Sequence, residues 1–230
     1  MASRKTLLWA VDAQADFMLP GGKLYVAGSE KTIPNLNRLV EAARQRRTFL
    51  ISSADAHNPE DAEFREWPPH CLKGTPGAEL IPEARTANYL VIPNQQGFAL
   101  PRDLGAYQQV ILEKNTLDVF DNPNTDALLA RLDSSVSPDS DPSPDFLVFG
   151  VVTEYCVMCT VDGLLRRGRQ VNLVKDAIQS FDQKKGSEIL DKLQSGGARL
   201  ITTEEALALV NRSATTAAQA EGGLKKVAGN

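Results

Sequence analysis

The chain has 230 residues, 42% hydrophobic and 23% charged, enough to bury one sizeable core in a single α/β domain. A net charge of -4 with scattered basic residues, such as Arg44, Arg46 and Arg47, offers no face for nucleic acid. No apolar run nears the roughly 20 residues that cross a bilayer, and residues 1–5 carry no signal-peptide core, so no membrane association and a cytoplasmic protein with three reduced cysteines are expected.

In chain order, the apolar run 7–11 predicts a strand and the helical period over 32–46 predicts a helix. A second strand is expected over 48–52. Residues 55–101 then depart from the pattern: many prolines and glycines and little periodicity predict a long ordered excursion that builds a site. Strands follow over 109–112, 146–150, 171–174 and 199–201, alternating with helices over 125–132, 153–167, 184–194 and 204–211. The alternation predicts an α/β fold of three layers, a mostly parallel six-stranded sheet with helices on both faces. The polar, low-complexity segment 134–145 and the small, polar tail 213–230 predict mobile chain, leaving 1–212 as the single domain.

Ligands of an open parallel sheet bind beyond the carboxyl ends of its strands. Asp12, Asp55, Lys114 and Cys156 all fall at such ends. Cys156 follows the strand that stops at Gly150, in a helix expected to begin at Thr153 as N-cap. Orphan N–H groups and the helix dipole at that position favour thiolate and can hold an oxyanion. A buried structural cysteine is the competing account. Asp12 can accept the thiol proton with Lys114 holding the charges in place, although a plain ion pair explains the same two residues. Cys156 and Cys159 also fit a C-x-x-C redox pattern, the main rival chemistry.

Both histidines of the chain, His57 and His70, lie in one stretch, ADAHNPEDAEFREWPPHC. Asp55 and His57 can aim two ligands at one ion, and His70 with a carboxylate from the intervening loop completes the set. Mixed imidazole and carboxylate ligation suits zinc, iron or manganese.

The sequence resembles the nicotinamidase/pyrazinamidase family of isochorismatase-like cysteine hydrolases, from about residue 7 to residue 181, through four motifs: VDAQADF, WPPHCLKGTPGAEL, LEKNTLDVF and GVVTEYC. The resemblance implies a Rossmann-like topology, Asp12, Lys114 and Cys156 as catalytic residues, and substrate contacts from Phe17, Trp67 and Tyr155. It also implies a cis peptide between Val151 and Val152 and an oxyanion hole from the N–H groups of Val152 and Cys156. Two places depart from the pattern. Glu63 stands where many members carry a third histidine, giving Asp55, His57, Glu63 and His70 as the implied ligands of one divalent metal, zinc first. Leu117 and Asp118 replace an aromatic-Ser pair. The implied reaction is hydrolysis of nicotinamide to nicotinate and ammonia through a thioester, with another small amide or carbamoyl compound as the alternative substrate. Many members of the family are homo-oligomers.

Overall fold

A computed structural model of the chain describes residues 5–134 and 144–227. Residues 135–143, most of the segment expected to be mobile, lie outside the described residues, as do 228–230 at the end of the tail. Seven strands form one sheet: β1 (Thr6–Val11), β2 (Phe49–Asp55), β3 (Tyr89–Ile92), β4 (Gln109–Lys114), β5 (Asp145–Val151), β6 (Gln170–Gln179) and β7 (Arg199–Ile201). All pairings are parallel and the order is β3-β4-β2-β1-β5-β6-β7. The helices are α1 (Ala15–Met18), α2 (Ile33–Arg44), α3 (Thr125–Ser134), α4 (Met158–Arg166), α5 (Gln183–Ser195) and α6 (Thr203–Val227). None of the described helices is long and apolar enough to cross a membrane.

Alternation along the strands divides the core in two, because successive side chains leave a strand on opposite faces. Leu8 and Ala10 join Leu36, Leu39 and Val210 of α2 and α6. Leu7, Trp9 and Val11 join Leu128, Val161 and Leu193 of α3, α4 and α5. With both faces covered, the central strands read as continuous apolar runs.

Three expectations need correction. The sheet has seven strands, because β3 lies inside the excursion read as irregular. It is four residues long, on the sheet edge, with Tyr89 and Val91 exposed, so it carries no run of buried apolar residues to mark it. β2 and β6 run on to Asp55 and Gln179, past polar residues that end the apolar signal. α6 continues to Val227 rather than ending near 211, in keeping with the alanine-rich composition of that segment.

The chain leaves β1 for β2 on one side, with β4 and then β3 beyond it, and returns to the other side through β5, β6 and β7, so the order reverses at β1 and the crevice opens above the carboxyl ends of β1, β2 and β5. Gly150 lets β5 approach β1 there: its φ is +119°, and a β-carbon would lie 2.1 Å from the carbonyl oxygen of Val11.

Candidate active site

The end of β1 turns sharply at Asp12, whose φ of 46° lies in the left-handed region. A β-carbon is crowded there, aspartate tolerates it better than most residues, and such strain costs about 1–3 kcal/mol. The turned carboxyl group accepts the Ser53 hydroxyl through Oδ1 at 2.8 Å, and its Oδ2 lies 2.9 Å from Lys114 Nζ. Lys114, the last residue of β4 and opposite Asp55 in the β2–β4 register, also pairs closely with Asp55 and lies 3.5 Å from Cys156 Sγ. One buried ammonium therefore touches two carboxylates and the thiol.

Cys156 does not sit in the helix expected. Val152 rather than Thr153 occupies the N-cap, and Thr153–Val157 forms a wide π-helical turn closed by Val157 N donating to Val152 O at 3.1 Å. The Thr153 hydroxyl donates instead to Gln179 O at 2.9 Å, tying the turn to the end of β6. The peptide joining Val151 and Val152 is cis. Val152 and Cys156 share one cleft.

The expected fall in the Cys156 pKa is also overturned. Burial pushes the thiol well above its ordinary range; Lys114 opposes this, and Asp12 and Asp55 reinforce it. Burial raises Asp12 too, with Lys114 pulling the other way. Burial alone would depress Lys114, but Asp12 and Asp55 outweigh it and hold the ammonium charged. These effects favour the protonated thiol beside a carboxylate whose proton affinity burial raises.

Asp55, His57, Glu63 and His70 each offer one donor atom, and all four lie within 4.8 Å of one another. His57 Nε2 is 3.8 Å from Asp55 Oδ2 and 3.9 Å from Glu63 Oε1; His70 Nε2 is 3.5 and 3.8 Å from the same two oxygens. Ligands held tetrahedrally at about 2.1 Å stand about 3.4 Å apart, so this set needs only slight contraction around an ion. Ring orientation supports the fit. His70 Nδ1–H donates to Pro68 O at 2.8 Å and His57 Nδ1–H to Asp61 Oδ2 at 3.1 Å, which directs both Nε2 lone pairs inward. His57 Nε2 is buried and hydrogen-bonded to none of the described residues. Lys114 and the two imidazoles outweigh burial at Asp55 and keep it ionised. The residues fit a divalent metal.

Phe17, Trp67 and Tyr155 line the same narrow, open cleft, together with Leu24, Leu117 and Phe181. Phe17 meets His70 edge-on at 5.2 Å and Trp67 meets Tyr155 at 5.1 Å. A roomier groove beside β3 shares only Asp55 with the candidate groups, and the chemistry assigns function to the smaller cleft.

Sequence reasoning missed the residues that hold this geometry. Buried Gln14 donates to Asp55 O at 2.7 Å and accepts from Asp55 N at 2.7 Å, clamping the end of β2. Buried Asp16 accepts from Cys71 N at 2.7 Å and Lys23 N at 3.0 Å, joining the loop of His70 to that of Leu24. Both lie in VDAQADF, where two polar residues within an apolar stretch were the available signal. Phe181 carried none, because Trp67 and Tyr155, which it meets, lie far from it in the chain, and Asp61 offered only its place beside the histidines until the loop closed on His57.

Residues 6–98 and 86–205 match the isochorismatase domain family. The nicotinamidase of Escherichia coli (strain K12) is 24% identical over 231 residues, covering 88% of this chain and 96% of that enzyme. The nicotinamidase/pyrazinamidase of Mycobacterium tuberculosis (strain ATCC 25618 / H37Rv) is 24% identical over 197 residues, covering 83% and 95%. Among solved structures, the pyrazinamidase of Pyrococcus horikoshii in complex with zinc matches with a TM-score of 0.66 and 26% identity over 86% of this chain and 99% of that one. With a matching domain over most of its length and this sheet beneath the site, the chain belongs to the isochorismatase-like hydrolase family.

Proposed function

We propose that the chain is a metal-assisted cysteine amidohydrolase that converts nicotinamide to nicotinate and ammonia. The observation that carries this reading is Lys114 Nζ in simultaneous contact with Asp12, Asp55 and Cys156, which joins the thiol and its proton acceptor to the edge of the ligand cluster. Two nicotinamidases among the relatives, each matched over most of its length, support the choice of amide.

Asp12 takes the thiol proton as the sulfur attacks the carboxamide carbon, so charge is created only when substrate is in place. Backbone N–H groups of Val152 and Cys156 receive the oxyanion. Its collapse expels ammonia, which takes the proton from Asp12. Water then adds to the thioester, Asp12 accepting its proton, and release of the acid returns that proton to the sulfur. Lys114 stays charged throughout and keeps Asp12 and the sulfur in register. Asp55, His57, Glu63 and His70 would hold a divalent ion, zinc first with iron and manganese as alternatives, which would supply Lewis acidity to a donor atom of the substrate. Phe17 and Trp67 line the cleft that the ring would enter.

Leu117 favours a second substrate within the same reaction class, another small amide or carbamoyl compound, because it puts an aliphatic wall into the cleft. Ammonia release from a panel of small amides, by wild type and Cys156→Ala, tests both. Nicotinamide should be the best substrate and the variant should fall to background. Equal rates in the two proteins would remove Cys156 from the mechanism, and a different best amide would replace the substrate.

A further inference from the structure

One aromatic residue of the cleft comes from outside the four motifs. Phe181 follows β6, just before α5, and its ring stacks on Trp67 at 5.9 Å and 22° and meets Tyr155 at 6.3 Å. At 37% exposure it is among the most exposed large hydrophobic residues described, yet it lines the cleft with Cys156. A residue that meets both solvent and the cleft stands at the mouth.

Its backbone is held from the nucleophile turn. Glu154, buried and two residues before Cys156, accepts from Asp182 N through Oε1 at 2.9 Å. Asp182 in turn caps α5 by accepting from Lys184 N and Lys185 N, and Ser180 N donates to Gln179 Oε1. The three-residue loop is therefore tied down on both sides of Phe181, and the Glu154 carboxylate is the tie that comes from the turn bearing Cys156. Ring position at the mouth and thiol position at the floor are set by one five-residue turn.

We propose that Phe181 is the specificity-determining wall of the cleft mouth, limiting the width of what reaches Cys156, and that Glu154 is the positioning residue that sets this wall. The inference deepens the proposed function, since it takes Cys156 as the reacting group, but it does not depend on which amide is cleaved. Opening the wall should admit broader molecules to the sulfur while leaving narrow ones little affected.

Alkylation of Cys156 reads this directly. Iodoacetamide and a fluorescein-bearing iodoacetamide share one reactive group, so the ratio of their rates cancels the thiol's proton affinity and reports access. Rates are followed at Cys156 by peptide mass spectrometry, which separates it from Cys71 and Cys159. Phe181→Ala should raise the bulky-to-small ratio by about tenfold or more, with Phe181→Leu intermediate. Glu154→Ala should move the ratio in the same direction, and Glu154→Gln, whose amide oxygen can still accept from Asp182 N, should restore the wild-type ratio. On the proposed substrate, a narrow amide, Phe181→Ala should change kcat and KM little, while KM for a broader amide should fall. An unchanged ratio in Phe181→Ala overturns the wall, and a Glu154→Gln ratio equal to that of Glu154→Ala overturns the positioning role. Absence of amide hydrolysis in wild type, with the ratio shifting as described, would sink the proposed function and leave this inference standing.

Discussion

Lys114→Met removes the only ammonium among the described residues in contact with the buried carboxylates of Asp12 and Asp55 and keeps the side-chain volume. Breaking a buried ion pair by deleting one partner costs about 3–5 kcal/mol, because an uncompensated charge stays out of water. At about 2–4 °C per kcal/mol for a chain of this size, the melting temperature should fall by roughly 6–20 °C. The measurement is urea unfolding of chelator-treated protein, read as a shift in midpoint at constant slope. Adding Asp12→Asn to Lys114→Met should recover part of the loss, with a coupling of about 0.5–3 kcal/mol, while ammonia release stays at background. The pH dependence has a definite sign. Asp12 already sits above the ordinary aspartate range through burial, opposed by Lys114, and loss of the ammonium raises it further. A folded-state pKa above the unfolded one makes the protonated form the stable one, so the deficit of Lys114→Met should be largest at neutral pH and shrink as pH falls through that raised value. A variant within about 1 kcal/mol of wild type at neutral pH, or a double variant no more stable than Lys114→Met, would refute a net-stabilising role for this ammonium between two buried charges.

Three further outcomes are expected. Asp61→Ala frees the Nδ1 side of His57 and should weaken metal binding by about 10- to 100-fold, read by competition with a chromophoric chelator; unchanged affinity would take Asp61 out of the site's support. The acid limb of kcat/KM should lie above the ordinary aspartate pKa, because burial raises Asp12 and only its ionised form accepts the thiol proton; a limb at or below the ordinary value would exclude Asp12 as the acceptor. Cys159→Ser should retain ammonia release and unfold near wild type, since Cys159 is half-buried on α4 and free; loss of hydrolysis would revive the redox reading of Cys156 and Cys159.

How much was legible in advance follows from the range over which each signal acts. Alternation of apolar runs and helical periods is local, so six of the seven strands and the order of the main helices could be read from the chain, and β3 could not, being short, exposed and at an edge. Residue type at strand ends is local as well, and it brought Asp12, Asp55, Lys114 and Cys156 to one edge of the sheet. The clustering of both histidines in one stretch pointed to the ligand set in the same way.

Tertiary structure alone decided what those groups do to one another. Proton affinity depends on desolvation and on charges that arrive from other strands, and this reversed the expected direction at Cys156, where burial, reinforced by Asp12 and Asp55, outweighs the Lys114 ammonium. It also decided the supports: the Gln14 clamp on Asp55, the Asp16 bond to the loop of His70, and the Glu154 tie to the loop of Phe181 each join residues 28 or more positions apart. A hydrogen bond between distant residues leaves no periodicity in the chain, and only folding brings its two ends together.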